Sequence, residues 1–327
     1  MVVLLIPGRR SPGSAAAGAG GFGAAYAVGT NVDTVSKPVA HSEKKDHGGG
    51  HPEQGAEKKG GTAPAGLQVA AGGYALDLKT PRAEAGERTD LRFTVLKESS
   101  GGPGTPLKTY KRDHGKELHL IVASRDLTTY RHLHPTRAAD GTWSVPATLP
   151  KAGDYRVFAD FTPARAKQKV TLGTDLAVTG AYAAAELPPA KPTAKAGDGY
   201  EVRLDGGLKP GKPRELTLRV TRDGKPVTNL QPYLGAYGHL VALRAGDLAY
   251  LHVHPNGEVG DGATKPGPRV SFTATAPSTG AYRLFLDFKH EGTVRTAAFT
   301  VHAGGSGADT KADTGTDTGS TTAPHGH

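Results

Sequence analysis

Residues 119–135 read His119-Leu-Ile-Val-Ala-Ser-Arg-Asp-Leu-Thr-Thr-Tyr-Arg-His132-Leu-His134-Pro135, and residues 239–255 read His239-Leu-Val-Ala-Leu-Arg-Ala-Gly-Asp-Leu-Ala-Tyr-Leu-His252-Val-His254-Pro255. The two stretches carry three histidines at identical spacing. An internal repeat of this kind indicates a duplicated structural unit. The chain is therefore expected to contain two copies of one fold, each with a three-histidine motif.

Each stretch has the pattern of a β-hairpin, because apolar and β-branched residues flank a polar break at Arg125-Asp126 and at Ala245-Gly246. With the turn centred on these residues, the first histidine of each motif lies opposite the second, at about 5 Å between Cβ atoms. The third lies two residues further along the strand, on the same face. An odd-length loop or a bulge would break this register.

Three imidazoles on one face are a metal-ligand pattern, since imidazole nitrogen suits Zn²⁺ and Cu²⁺. We predict one site per repeat, whose affinity falls as the pH drops through about 6.5, where histidine takes up a proton. The predicted ligands are His119, His132 and His134 in the first site and His239, His252 and His254 in the second. The alternative is a hydrogen-bonded histidine network with a structural role only, because a duplication preserves either arrangement.

Composition narrows the chemistry of the predicted sites. The 327 residues include no Cys and a single Met, so thiolate sites, disulfides and thiol catalysis are excluded. Soft sulfur ligands that favour Cu(I) are also absent, which leaves Cu(II) or Zn²⁺ as the predicted ion. The formal net charge is +9, but the basic residues form no stripe with aromatic platforms, and we expect no nucleic-acid partner.

The remaining strands recur in the same order in both repeats. Tyr74–Leu78 and Tyr200–Leu204 alternate as opening strands, and Gly153–Phe161 closely resembles Gly280–Phe288. Short strands at this spacing indicate an all-β fold. We predict two tandem immunoglobulin-like antiparallel β-sandwiches of seven or eight strands each, with Trp143 in the first core, and disordered N- and C-terminal tails.

Composition shifts along the chain set the predicted domain boundaries. The predicted segments are a possible signal or anchor (1–30), a His-rich polar linker (31–66), the first repeat (67–180), an Ala/Pro linker (181–198), the second repeat (199–303) and a disordered tail (304–327). Within the first repeat, Gly101-Gly-Pro-Gly104 is predicted to be a loop. The linkers and the tail are too polar or too rich in Gly and Pro to form a packed core.

The N-terminal segment indicates export, although the order of its charged and apolar parts is atypical of an export signal. Arg9-Arg10 precedes a weakly apolar run of small residues, and Ala25-Tyr26-Ala27 has the form of a cleavage site. We predict an extracytoplasmic protein, secreted or anchored in the membrane or cell envelope. The alternative is a disordered Ala/Gly leader.

Several other residues are candidates for a supporting role at the histidines. Asp160 and Asp287 recur inside Phe-x-Asp-Phe, where a buried carboxylate needs a partner. Each can hydrogen-bond a ligating imidazole, ligate the ion, or pair with the arginine four positions earlier. The further optional ligands lack a counterpart in the other repeat: His114, Glu117 and His290.

The two histidine motifs, with Glu117-Leu-His119 before the first and Gln231-Pro-Tyr-Leu-Gly-Ala-Tyr-Gly-His239 before the second, resemble a family of exported, largely uncharacterised proteins from GC-rich bacteria. Some members of that family are described as heavy-metal-binding. The sandwich is similar to small exported β-domains of the YtkA and CopC sort, an analogy of fold alone. The resemblance covers about residues 67–302 and implies export and a metal ion as partner.

Three classes of function follow from these features. The first is a metal-binding protein that scavenges, carries or senses Cu(II) or Zn²⁺. The second is a structural or interaction module. The third is a metal-dependent hydrolase or oxidase, since three histidines with an open position can activate water. The absence of a recurring general base or a Gly-x-Ser-x-Gly motif favours a protein that is not an enzyme.

Overall fold

The computed structural model describes residues 64–100, 102–251 and 253–304, with the backbone alone at residue 254. The predicted leader, the polar linker up to residue 63 and the tail from residue 305 lie outside the described residues, and so does the prediction that the tails are disordered.

The described residues form β-strands joined by turns, which confirms the predicted all-β class. The strands are β1 (Ala70–Ala71), β2 (Tyr74–Leu78), β3 (Arg82–Glu84), β4 (Arg88–Ser99), β5 (Gly102–Pro106), β6 (Tyr110–Lys111), β7 (Leu118–Ser124), β8 (Tyr130–Leu133), β9 (Thr136–Arg137), β10 (Thr142–Thr148), β11 (Gly153–Pro163), β12 (Val170–Thr179), β13 (Thr193–Lys195), β14 (Tyr200–Gly206), β15 (Pro213–Arg222), β16 (Lys225–Pro226), β17 (His239–Arg244), β18 (Tyr250–Leu251), β19 (Val253–Pro255), β20 (Arg269–Thr275), β21 (Gly280–His290) and β22 (Thr293–Ala303). Within this part of the chain no helix is long and apolar enough to cross a membrane.

Each repeat is a sandwich of two sheets, as predicted. In the first repeat, the sheet β1-β2-β4-β10-β9, with β5 beside β4, packs against β3-β12-β11-β7-β8, with β6 beside β11. In the second repeat, β13-β14-β15-β20-β19, with β16 beside β15, packs against β18-β17-β21-β22. Each repeat contains more than the predicted seven or eight strands, because the structure adds several edge strands of only two or three residues.

Two local features of the first repeat differ from the sequence-based expectation. The segment that follows β4 was expected to be a loop, but Gly102–Pro106 pairs with β4 as an edge strand. Proline is tolerated there because an edge strand leaves one row of N–H positions unpaired. The other difference is β3, which pairs with β12 in parallel, whereas the remaining strand pairs described here are antiparallel.

The core of the first repeat contains the tryptophan that the sequence placed there. Trp143 is buried and stacks on Phe93 with ring centroids 6.3 Å apart. Its indole N–H donates to the Tyr110 hydroxyl at 3.2 Å, so the polar edge of the ring is satisfied inside the core.

The two repeats pack face to face through the sheets that carry the histidine hairpins. Every residue of β7 is buried, because one face of the strand fills the core of the first repeat and the other contacts the second repeat. Tyr130 stacks on Phe285 of the second repeat with centroids 4.1 Å apart, and Phe158 lies 5.7 Å from Tyr250. A continuous apolar cluster, which we term the inter-repeat core, contains Ile121, Ala123, Leu127, Tyr130, Phe158, Val241, Leu243, Leu248 and Phe285.

The segments predicted as linkers contribute to this packing. Leu187 packs against the inter-repeat core, and Thr193–Lys195 forms β13 of the second repeat. Ahead of the first repeat, the Ala65 carbonyl accepts the Tyr250 N–H at 2.9 Å. Both described linker segments therefore join the two sandwiches by contacts as well as by chain connectivity.

Candidate metal centre

The first hairpin has a register that differs by two residues from the predicted one. His132 lies opposite Ile121 rather than opposite His119. The four-residue loop is centred one residue later than expected, because the Asp126 carboxylate accepts the Thr128 N–H at 3.0 Å and Leu127 adopts φ 57°. A shift of two residues keeps every side chain on its face, so the three histidines of the first motif still lie together.

The second hairpin shows the same two-residue difference, with Leu243 opposite Tyr250. His252 lies outside the described residues, and His254 is described by its backbone alone. The predicted second trio therefore stays a prediction as far as these two side chains are concerned. The structure does place its other member, His239, whose ring lies beside the first trio, as shown below.

A tight turn orients the first histidine of the first motif. His114 and Gly115 both have positive φ, 50° and 76°, which is the conformation of a type I′ turn. The turn carbonyl of Asp113 lies 3.2 Å from His119 Nε2. Since a carbonyl only accepts, Nε2 carries the proton and His119 Nδ1 presents a lone pair.

An equivalent turn orients His239 in the second repeat. Leu234 and Gly235 have φ values of 54° and 77°, and the Tyr233 carbonyl accepts from His239 Nε2 at 2.8 Å. The lone pair of His239 therefore also resides on Nδ1. A leucine with positive φ is uncommon, and here it occurs where the first repeat has His114.

The histidines of the first motif converge as the sequence predicted. One ligand atom from each of His119, His132 and His134 lies within 4.8 Å of the others. His119 Nδ1 and His132 Nε2 are 3.1 Å apart. His134 Nε2 is buried and has no hydrogen-bond partner among the described residues. This trio is the candidate metal centre.

Asp287 of the second repeat supports the trio from across the repeat boundary. Its Oδ2 accepts from His132 Nδ1 at 3.0 Å and from the Tyr130 hydroxyl at 3.2 Å, and its Oδ1 accepts from the Thr296 hydroxyl at 2.5 Å. The carboxylate is 2% exposed, and these donors satisfy it. The sequence predicted that this residue holds an imidazole, and the structure shows that the imidazole belongs to the other repeat.

Asp160 occupies the equivalent position in the first repeat but has different partners. It accepts from the Thr171 hydroxyl at 2.8 Å and pairs with Lys169 at 3.2 Å. The suggested pairing of these aspartates with arginine is wrong, because Arg156 pairs instead with Asp175 at 2.6 Å. In the second repeat, the corresponding Arg283 donates to Thr300.

The optional ligands have different outcomes. Glu117 pairs with Arg137 at 3.1 Å. The ring nitrogens of His290 contact the Tyr200 hydroxyl at 2.7 Å and Asn229 Oδ1 at 3.0 Å, so both residues have partners outside the trio. His114 does lie near the trio, with its ring centroid 6.4 Å from that of His119.

Two residues of the second repeat stand beside the trio without having been predicted there. The ring of Tyr233 lies 5.9 Å from that of His134. The ring of His239 lies 6.4 Å from that of His119 and 6.1 Å from that of His132. The sequence assigned His239 to a separate site and contained no signal for Tyr233, because both contacts arise from the packing of one repeat on the other.

Burial favours the neutral form of the imidazoles of His119, His134 and His239. Burial, and secondarily the neighbouring His132, lowers the pKa of His119 to about 4. The same causes, in the same order, lower the pKa of His134 to about 3. Burial lowers the pKa of His239 to about 4, against the opposing effect of the hydrogen bond to the Tyr233 carbonyl. Neutral imidazole is the form that binds a metal.

These lowered pKa values predict acid sensitivity of the metal-free protein. Below pH 6.5 the unfolded chain takes up protons that the folded chain refuses, so the free energy of unfolding falls as the pH drops from 6.5 to about 4. Each group contributes up to about 1.4 kcal/mol per pH unit in this range. Urea unfolding at pH 7, 6, 5 and 4 measures the slope. The neutral ligands also extend the expected range of metal binding below the pH of 6.5 inferred from the sequence.

His134→Gln provides the matched comparison for this slope. The variant removes one titrating group that makes no described hydrogen bond through Nε2. We expect its unfolding free energy to fall less steeply with acid than that of the parent protein. Identical slopes for the two proteins would show that His134 does not titrate with a lowered pKa.

The chain matches one protein family by sequence profile, described as a domain of unknown function (DUF8832), once over residues 68–178 and again over residues 194–305. No curated protein matches the chain. The family description assigns no activity, so the match bears on the tandem architecture and leaves the role of the histidines open.

Similar solved structures include two adhesins and an intimin fragment. The Escherichia coli adhesin FdeC shares 16% identity, with 72% of this chain and 65% of that chain covered and a TM-score of 0.23; the chain thus spans less than two thirds of FdeC. The D0-D1 domain of intimin shares 11%, covering 69% and 96%, with a TM-score of 0.20. Yersinia pseudotuberculosis InvE shares 12%, covering 72% and 60%, with a TM-score of 0.22. Likeness this weak has no bearing on function.

Proposed function

The chain belongs to the family of the domain of unknown function DUF8832, and from that premise we propose that it binds one divalent metal ion, Zn²⁺ or Cu²⁺, at His119, His132 and His134. The observation that carries this proposal is the convergence of three imidazoles, one of which, His134, has a buried Nε2 with no hydrogen-bond partner among the described residues. Leaving such a group unsatisfied costs about 1–3 kcal/mol. A bound ion would satisfy it.

The donor set fits these ions. Zinc–imidazole bonds are about 2.0–2.1 Å long, which places two ligands of a tetrahedral ion roughly 3.4 Å apart. His119 Nδ1 and His132 Nε2 are already separated by 3.1 Å. His132 donates its other ring N–H to the carboxylate of Asp287, the arrangement that commonly orients a metal-binding histidine.

The second candidate function is structural, and a specific observation favours it. His132, Asp287 and Tyr130 form a chain of hydrogen bonds that crosses the repeat boundary. Such a chain stabilises the packing of the two repeats without any ion. It gives no role to His134, however, and His134 therefore distinguishes the two proposals.

The cellular role that we propose is a scavenger, carrier or sensor of metal outside the cytoplasm. Its support is the export signal inferred from Arg9-Arg10 and Ala25-Tyr26-Ala27, together with the heavy-metal-binding description of some members of the resembled family. A hydrolase or oxidase is the lesser alternative, because the donors around Asp287 engage its carboxylate and leave it poorly suited to act as a general base.

Cell fractionation tests the location: uncleaved protein found only in the soluble cytoplasm contradicts export.

Isothermal titration of Zn²⁺ and Cu²⁺ tests the proposal. The protein is the full chain in which the histidines outside the sandwiches are replaced by Asn: His41, His47, His51, His325 and His327. We expect one ion per chain at the trio.

Two further variants complete the titration experiment. Replacing the three histidines of the trio by Ala should abolish binding, whereas His302→Ala, at an exposed position of β22, should leave it unchanged. If the parent protein binds neither ion, or if the triple replacement changes neither the affinity nor the number of ions bound, the trio is not a metal site and the structural proposal takes its place.

A further inference from the structure

We infer that the ion at the trio takes a fourth ligand from the second repeat, His239 Nδ1, so that bound metal fastens the two repeats together. The inference rests on the proposed function and concerns how that site is completed. It replaces the expectation that His239 belongs to a separate site within its own repeat.

The position of His239 is the first step of the argument. Its ring centroid lies 6.1 Å from that of His132 and 6.4 Å from that of His119. The three rings line a common cavity of about 60 Å³ between the repeats. A single water needs only about 10–15 Å³ on this measure, so the cavity has room for an ion and for inward movement of the rings.

The chemistry of His239 is the second step. Its Nε2 donates to the Tyr233 carbonyl, which leaves Nδ1 as the atom with a free lone pair. His119 is fixed in the same way by the Asp113 carbonyl. The duplicated turn thus presents the same nitrogen from both repeats, and the packing of the repeats brings these two histidines to one cavity.

His114 is the rival for the fourth position. Its ring lies 4.9 Å from that of His239 but 6.4 Å from that of His119. It is also only partly buried, and its Nε2 faces Asp113 at 3.6 Å. The rings of His114 and His239 are equally far from that of His119, and His239 is preferred because its ring also lies 6.1 Å from that of His132.

A ligand from each repeat gives the ion a mechanical consequence. The inter-repeat core and the bond from His132 to Asp287 already join the repeats. An ion coordinated by residues of both repeats adds a link between them that exists only in the metal-bound protein. Metal should therefore raise the unfolding temperature of the full chain, and it should do so less when His239 is absent.

Electron paramagnetic resonance of Cu²⁺ bound to the full chain, with the histidines outside the sandwiches replaced as above, tests the inference. The parent protein should show four coupled ¹⁴N nuclei and His239→Ala should show three. The affinity of His239→Ala for Zn²⁺ should be lower by about 10–100-fold, the range typical for a group that supports a metal site without being indispensable to it. His302→Ala serves as the matched control and should behave as the parent, whereas His114→Ala tests the rival residue and should retain four coupled nitrogens.

Each outcome distinguishes this inference from the proposed function. A parent that binds metal with three nitrogens, and a His239→Ala variant with unchanged affinity, overturn the inference and leave the trio intact. Loss of a nitrogen in His114→Ala alone assigns the position to His114 and also overturns it. A parent that binds no metal refutes the proposed function itself. Should His239→Ala fold poorly in urea unfolding, His239→Gln provides the same comparison with a larger side chain.

Discussion

Replacing His134 by alanine is expected to lower the affinity for Zn²⁺ by more than about 100-fold, while the metal-free protein keeps its stability. Removal of a group that merely supports a ligand already costs 10–100-fold, and His134 is one of only three converging ligands in the first repeat. The fold should tolerate the change because His134 Nε2 has no described partner to lose. Deleting an unsatisfied buried nitrogen is neutral or slightly stabilising.

Competition with a chromophoric chelator measures the affinity, and urea unfolding of the metal-free protein measures the stability. His302→Ala is the control for the loss of any histidine, since that side chain is exposed on β22. The combination of lost affinity and retained stability is specific to a metal role. Retained affinity together with a loss of stability would show that His134 contributes to packing and not to metal binding.

Replacing Asp287 by alanine should lower the free energy of unfolding by about 1–3 kcal/mol for each buried donor that is left without its acceptor. The change removes the acceptor of His132, Tyr130 and Thr296 at once. Two of those donors belong to the first repeat, so the contact between the repeats weakens. Affinity for metal should also fall, by about 10–100-fold, because His132 loses the group that orients it.

Asp160→Ala is the matched control, since Asp160 is the equivalent residue of the first repeat. Its partner Lys169 is 28% exposed and retains Asp113 as a second partner, so the loss of stability should be smaller. Its effect on metal affinity should be slight. Chemical unfolding and chelator competition on both variants provide the comparison. Equal effects of the two replacements would contradict a specific role of Asp287 at the metal centre.

The local pattern of the chain predicted a large part of this structure. Alternation in stretches such as Tyr74–Leu78 and Tyr200–Leu204 located strands that the structure contains as β2 and β14. The shared face of the first histidine trio was also predictable, because side chains in a strand alternate with a period of two. The two-residue error in hairpin register preserved that parity, which is why the trio was found despite a misplaced turn centre.

A signal for the contact between the repeats was present in β7. Leu118–Ser124 is a nearly continuous apolar run, and such runs are typical of strands buried on both faces. The run indicated that the outer face of the hairpin sheet is buried. It could not identify the packing partner as the equivalent sheet of the second repeat, because hydrophobic periodicity describes one strand and carries no information about what packs against it.

The sequence by itself determined the duplication, the strands and the face on which His119, His132 and His134 lie. Only the tertiary structure brought Asp287 and His239 of the second repeat to these residues. The physical reason is the range of the interactions. Strand alternation and turn conformation depend on neighbouring residues, whereas the contacts of Asp287 and His239 depend on how two apolar sheet faces pack, which involves residues more than 100 positions apart, such as His132 and Asp287.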